Sequence, residues 1–237
     1  MAQEGISFAD IPFADRADAG RRLARVIEAH LTEKADFADP LVMALPRGGV
    51  PVAFEVARTL AASLELLIVR KIGAPGHPEF GLGALVDSDE PQVVLNAEAM
   101  RIVSPSEKYV QAETERQRLE LARRRVLYLG DQTRISPSGR NVIIVDDGIA
   151  TGGTAKAAAK ALRQAGAAAL MLAVPVSPKS AIVALRDEVD RLVCLATPTP
   201  FHAVSVYYDD FEQTTDAEVI ALLRQARADK RGLALGR

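Results

Sequence analysis

Short apolar runs alternate with stretches of helical period along this chain, which predicts an α/β fold built on a doubly wound, mainly parallel sheet. Residues 41–45, 64–69, 141–145, 168–176 and 191–195 read as its strands. Residues 16–31 read as a first helix, with Leu23, Val26, Ile27 and His30 on one side. A second spans 50–62, and Pro51 suits its first turn. Ser104-Pro105-Ser106-Glu107 reads as a further helix start, with Ser104 as N-cap, Pro105 at the first position and Glu107 closing a capping box. That helix runs to about residue 128, and Glu113/Arg116, Glu115/Arg118 and Glu120/Arg124 fall at pairing distances along it. Residues 154–165, ended by Gly166 at C′, then 178–188 and 215–229 complete the helices.

Between Lys71 and Leu82, glycine and proline are too frequent for regular structure, so a loop is expected. Residues 82–86 and 92–95 around Asp87-Ser88-Asp89-Glu90-Pro91 form a hairpin pattern. No internal repeat, low-complexity segment or linker interrupts the pattern, and one domain over 1–237 is the simplest count.

Composition removes several function classes. The 29 basic residues are balanced by 31 acidic ones, so no general attraction to nucleic acid is expected. Trp is absent and aromatic residues are few, which argues against stacking platforms for single strands. Cys194 is the single cysteine; no internal disulfide can form, and its apolar surroundings suggest a buried structural thiol. No run approaches the ~18 apolar residues of a membrane span, and the first residues, with Glu4 and Asp10, lack a signal-peptide pattern. A cytoplasmic protein without membrane partners is expected.

The chemistry concentrates in residues 141–154. A β-branched run ends in Asp146 and Asp147, and a loop of Gly148, Ile149, Ala150, Thr151, Gly152, Gly153 and Thr154 leads into an Ala-rich helix. Adjacent strand residues face opposite ways, so both acids cannot serve the core. At the carboxyl end of a parallel strand they would border the crevice where such sheets bind ligands. Carboxylates accept hydrogen bonds from a diol and help hold Mg²⁺ through water. Glycines and a helix N-terminus suit an anion. No Lys follows the last glycine, as a P-loop requires, and Gly-x-Gly-x-x-Gly is lacking. An isolated Asp-Asp pair would more simply cap a loop; the loop that follows shifts the balance.

Two other places carry cations. Arg47-Gly48-Gly49 lies between a strand and a helix, where it is either an anion-binding turn or a plain one with an exposed Arg. Arg70-Lys71 ends the next strand, as an anion site or as a solvated strand end. Arg123-Arg124-Arg125 is read as a solvated helix end favoured by the dipole, rather than as an anion site.

Residues 141–154 resemble the 5-phosphoribosyl 1-pyrophosphate (PRPP) signature of type I phosphoribosyltransferases: apolar strand, two acids, then a Thr-Gly-Gly-Thr loop. The resemblance implies that Asp146 and Asp147 hold the ribose 2′- and 3′-hydroxyls, and Mg²⁺ mainly through water and PRPP. It implies that residues 148–154 carry the 5′-phosphate, with 150–154 as its cradle. Arg47-Gly48-Gly49 is similar to that family's pyrophosphate loop, and Arg70-Lys71 to the Arg-Lys pair before the mobile loop of adenine-type members. Residues 72–95 would then be a lid loop and hairpin, in which His77 or Glu79 is either a participant or an idle loop residue. Residues 198–237 would form a small hood and a C-terminal helix. Asp15-Arg16-x-x-Ala19-Gly20 and residues 198–208 also resemble a group of bacterial proteins described only as predicted phosphoribosyltransferases.

The expected activity is transfer of a phosphoribosyl group from PRPP to a small nitrogenous acceptor, with Mg²⁺ and loss of pyrophosphate. By the same resemblance, Ala150 stands where 6-oxopurine enzymes carry an Asp that handles the base, which points away from hypoxanthine and guanine. Phe201, His202, Tyr207 and Tyr208 either stack on the acceptor or pack among themselves. A PRPP-binding regulator without transferase activity and a hydrolase of phosphoribosyl compounds are the alternatives, and a homodimer is the family habit.

Overall fold

The computed structural model describes residues 11–32, 37–88, 91–130 and 132–235. The acids Glu4 and Asp10 of the amino-terminal reading, and Asp89 and Glu90 of the hairpin turn, lie outside the described residues. The order is α1 (Arg16–Thr32), β1 (Leu41–Ala44), α2 (Gly49–Thr59), β2 (Ser63–Leu66), β3 (Val69–Ala74), β4 (His77–Val86), β5 (Gln92–Leu95), α3 (Ala97–Val103), α4 (Glu107–Leu129), β6 (Asn141–Val145), α5 (Gly153–Gln164), β7 (Ala169–Val176), α6 (Lys179–Leu185), β8 (Arg191–Ala196) and α7 (Asp216–Leu235).

Five strands form a parallel sheet in the order β2-β1-β6-β7-β8. Side chains along its central strands alternate between two cores. Val42, Ala44, Ile143 and Val145 face a core shared with α1, α2 and α7. Leu41, Met43, Val142 and Ile144 face the core of α5 and α6. Both faces are covered, which explains why these strands read as unbroken apolar runs rather than as alternating ones. The chain leaves β1 toward β2 on one side, and β6 pairs with β1 on the other. That reversal opens a crevice at their carboxyl ends.

The region expected to be an irregular loop differs. The strand read over 64–69 divides into β2 and β3, and β3 joins β4 and β5 in a separate antiparallel sheet. Residues 72–82 are mostly hairpin rather than loop, with the turn at Pro75-Gly76, where Gly76 has φ +71°. The glycines and prolines have local reasons. The register shifts on either side of Gly73, and a Cβ there would sit 2.6 Å from the Pro78 carbonyl oxygen. Beside Pro78, β4 has no partner on the β5 side, since β5 pairs only with 83–86, and proline is tolerated at such an open edge. The hairpin of 82–86 with 92–95 forms as expected.

The helix start is also corrected. Ser104 is the left-handed C-cap of α3, a helix that periodicity alone did not separate, and its hydroxyl donates to the Arg101 carbonyl. Ser106 caps α4 instead, accepting from the Tyr109 N–H at 3.2 Å. One serine cannot end one helix and begin the next. Farther along the chain, His30 is exposed at the end of α1, whereas Leu23 and Ile27 are fully buried. Burial pushes the Cys194 thiol up to about 12, in keeping with a structural role. Among the described residues, no helix is long and apolar enough to cross a membrane.

Gly20 sets the spacing of α1 against α2. A Cβ at this position would stand 2.7 Å from the Val52 carbonyl oxygen and 2.9 Å from the Glu55 Cβ. Gly20→Val should therefore lower stability by about 2 kcal/mol, read as a fall of several degrees in the thermal midpoint. A midpoint equal to that of the unmodified chain would show that the two helices separate freely.

Candidate functional site

At the carboxyl ends of β1 and β6, two loops emerge side by side, tied by a hydrogen bond of 2.9 Å from Leu45 N–H to the Val145 carbonyl. The first loop carries Arg47, Gly48 and Gly49 behind a cis Pro46–Arg47 peptide. The second begins with Asp146 and Asp147. They are pressed together. A Cβ on Gly48 would stand 2.0 Å from Asp147 Oδ2, and one on Gly49 would stand 2.9 Å from the Asp146 Cα. Glycine is required at both positions for close approach, not for an unusual φ.

The two acids have different surroundings. Asp146 Oδ1 accepts from the Asp147 backbone N–H at 2.9 Å. Burial, followed by the neighbouring Asp147 charge, holds the Asp146 carboxyl well above the usual carboxylate range. Asp147 points toward the α1 face, where Arg16 Nε donates to its Oδ2 at 2.8 Å. Arg16 is fixed in turn by the Glu212 carbonyl, 2.6 Å from Nη1, and by the Phe211 ring, 3.8 Å from its guanidinium carbon. The Tyr208 hydroxyl donates to the Asp147 carbonyl, and burial raises the pKa of that phenol. Sequence assigns Arg16 no role, and it offers Tyr208 for stacking rather than for holding the Asp147 backbone. Asp15-Arg16-x-x-Ala19-Gly20 was the available signal: Asp15 accepts from the Asp18 N–H, Arg16 reaches Asp147, and Ala19 and Gly20 pack the helix that carries them.

After the acids, Gly148 lies beneath Val204, whose Cγ1 would be 2.5 Å from an added Cβ, and Ile149 is buried. Ala150, Thr151, Gly153 and Thr154 are exposed, and Gly152 is the left-handed N-cap of α5 at φ +81°. The first N–H groups of any helix lack intrahelical acceptors. Ser106 supplies a side-chain acceptor at α4, but Gly152 has none to supply at α5. The loop therefore exposes donors and a helix dipole to an incoming anion.

Of the other two cationic places, Arg47 lies beside the acids in the loop after β1, whereas Arg70 and Lys71 lie on β3 of the separate antiparallel sheet. Arg47 Nη1 lies 3.6 Å from Asp216 Oδ1, which also accepts from the Tyr128 hydroxyl at 2.6 Å. That bond, with burial the larger cause, raises the Tyr128 phenol to about 12. Arg70 Nε donates to Gln117 Oε1 on α4 at 3.0 Å. Lys71 turns to the other side of its strand and meets Glu79 across the hairpin at 3.0 Å. His77 is exposed near the hairpin turn. Of the four rings weighed for stacking, Tyr207 and Tyr208 are buried, while Phe201 is half-buried against Tyr207 and His202 is exposed.

Of Arg123, Arg124 and Arg125, the first is largely exposed, as the solvated reading expects, whereas the other two are half-buried. Glu120 pairs with the first two, and Arg125 reaches the buried Asp87 at 3.6 Å. A recess of about 550 Å³ lies far from the acids, between the start of β2 and α7. Two cations on its wall are already engaged, Arg227 by Glu65 and Lys230 by the Ala61 carbonyl.

Comparison with known proteins agrees with this geometry. Residues 15–211 match the family model of the phosphoribosyl transferase domain. Among curated proteins, "Putative phosphoribosyl transferase Rv0571c" of Mycobacterium tuberculosis is 45% identical over 217 residues, covering 92% of this chain and 47% of its own. The chain thus spans about half the length of that relative. Adenine phosphoribosyltransferase of Erythrobacter litoralis is 61% identical over 44 residues, only 17% of this chain. The crystal structure of TT1426 from Thermus thermophilus superposes with a TM-score of 0.79 at 39% identity, covering 91% of this chain and 99% of that one. The domain match spans both glycine loops, both acids and Arg70-Lys71, and the chain belongs to the phosphoribosyl transferase family.

Proposed function

We propose that this chain transfers a 5-phosphoribosyl group from PRPP to a small nitrogenous acceptor, releasing pyrophosphate. The contact of Gly48-Gly49 with Asp146-Asp147 carries the reading, because it puts a cation-bearing turn and a carboxylate pair within one ligand's span. The exposed loop at the N-terminus of α5 supplies the 5′-phosphate end. In this reading Asp146 accepts from the ribose hydroxyls and Asp147 keeps the loop and Arg16 in place. Residues 148–154 hold the 5′-phosphate.

As the bond from C1′ to the pyrophosphate oxygen breaks, its electron pair leaves with pyrophosphate. Positive charge develops on the ribose, and the acceptor nitrogen donates its lone pair to C1′ and loses its proton. Arg47, Arg70 and Lys71 stabilise the leaving group, and the nearby carboxylates favour the developing cation. In this reading the hairpin tip at 75–80 serves as a lid over the reacting centre, and residues 198–208 serve as a hood over the acceptor.

The donor set also fits Mg²⁺. Mg²⁺ is commonly held by one or two carboxylates, water and substrate phosphates, and the adjacent Asp146 and Asp147 supply such a carboxylate pair. Asp146 and Asp147 would hold it mainly through water, since each has one oxygen engaged already. When bound, the metal would supply neutralisation of pyrophosphate charge.

A pyrophosphate-release assay with Mg²⁺ and PRPP against a panel of bases, amines and water tests this reading. Release that requires one acceptor class supports it. Release with water alone indicates a hydrolase, binding without release a regulator, and absence of PRPP binding in calorimetry overturns it. Asp146→Asn should weaken PRPP at least ~30-fold with little change in melting, the loss of about 2 kcal/mol expected for a charged hydrogen bond. Gly48→Ala should weaken PRPP binding and also lower the melting point, since its methyl displaces the Asp147 carboxylate. Unchanged melting and affinity in that variant would mean that the contact is not needed.

A further inference from the structure

α4 carries a polar stripe where a packed helix would be expected to carry an apolar one. Glu113, Gln117, Glu120, Arg124 and Tyr128 recur at spacings of three and four, which places them on one face. Glu113, Gln117 and Tyr128 are buried. Two of the five lead to cations of the proposed site: Gln117 holds Arg70, and Tyr128 shares Asp216 with Arg47. Arg124 lies on the same stripe, between them.

Charge is unbalanced at this corner. Arg47 meets Asp216, Arg124 meets Glu120 at 2.9 Å, and Arg70 hydrogen-bonds the neutral amide of Gln117, with the Glu120 and Glu113 carboxylates near enough to act on its charge. Glu120 is shared further, with Arg123 at 2.8 Å. Among the described residues, the terminal nitrogens of Arg70 and Arg124 have no protein partner. Arg124 is close enough to Arg70 to be the strongest charge effect lowering that guanidinium's pKa, after burial. Three guanidiniums from three segments are thus linked to one face of α4, two of them with donors to spare, in a chain whose formal net charge is −2.

We infer that Arg124 is a further pyrophosphate-binding residue, which joins Arg47 and Arg70 around the leaving group of the donor. This rests on the transferase reading above. Glu120 and Asp216 act as internal carboxylate partners, holding Arg124 and Arg47 in place until a phosphate displaces them.

Calorimetric titration of the full chain with inorganic pyrophosphate plus Mg²⁺, and separately with ribose 5-phosphate, tests the inference. Arg124→Gln should weaken pyrophosphate at least ~10-fold while leaving ribose 5-phosphate and the melting temperature unchanged. Arg118→Gln, at a neighbouring exposed arginine, should match the unmodified chain. Glu120→Gln should tighten pyrophosphate binding by releasing Arg124, a gain that misfolding cannot imitate. Equal pyrophosphate affinity in Arg124→Gln, equal loss of both ligands, or weaker binding in Glu120→Gln would each overturn the assignment. If the unmodified chain binds PRPP while Arg124→Gln is indifferent, only this inference falls. If the unmodified chain binds neither ligand, the transferase reading falls and takes it along.

Discussion

The site depends on the absence of side chains where the loops after β1 and β6 touch. Gly48 and Gly49 leave room for the Asp147 carboxylate and the Asp146 backbone, so two strand ends that are neighbours in the sheet stay neighbours beyond it. Everything placed around the acids follows from that contact. α2 starts at Gly49 and can begin only where the turn allows. α1 packs on α2 through Gly20, and that packing brings Arg16 to Asp147. A methyl group at any of these positions would push apart segments that now touch.

A second regularity is that cations and carboxylates at this end of the molecule satisfy one another across elements: Arg16 with Asp147, Arg47 with Asp216, Lys71 with Glu79 and Arg124 with Glu120. Such pairs differ in worth. Arg16 and Asp147 are mostly shielded, with side chains 11% and 15% exposed, so their mutual attraction is little screened. Lys71 and Glu79 are far more open, and a pair of that kind contributes little to stability. The shielded pair thus belongs to the frame, whereas the open pair exchanges partners at small cost. In the proposed transferase reading, this division gives a ribose end built in advance and a pyrophosphate end whose pairs can exchange partners.

The central strands were legible in sequence because burial on both faces makes apolar runs unambiguous, and the acid pair was legible because it interrupts such a run abruptly. The hairpin of β3 and β4 was not, since its glycines and prolines serve a bulge and an open edge that are defined only by the partner strand. Arg16 falls in a motif that carries no legible role for it, because its partner lies 131 positions away. Arg124 was read as solvated because the stripe on α4 is polar and alternates in charge. Only the positions of Arg70 and Asp216 show that its inward face is polar by necessity.

In its proposed role as a lid, the hairpin alters the thermodynamics of covering a ligand. An irregular segment of similar length would lose backbone freedom each time it ordered over the site, at roughly 1–2 kcal/mol per residue. In β3 and β4 that freedom is already surrendered to ladder hydrogen bonds, and the Tyr109 hydroxyl ties down the Gly73 carbonyl, two residues before the turn, at 3.0 Å. The conformational entropy is lost once, on folding. What remains for each ligand encounter is the displacement of a preformed ribbon, whose free-energy cost does not grow with the number of residues it carries.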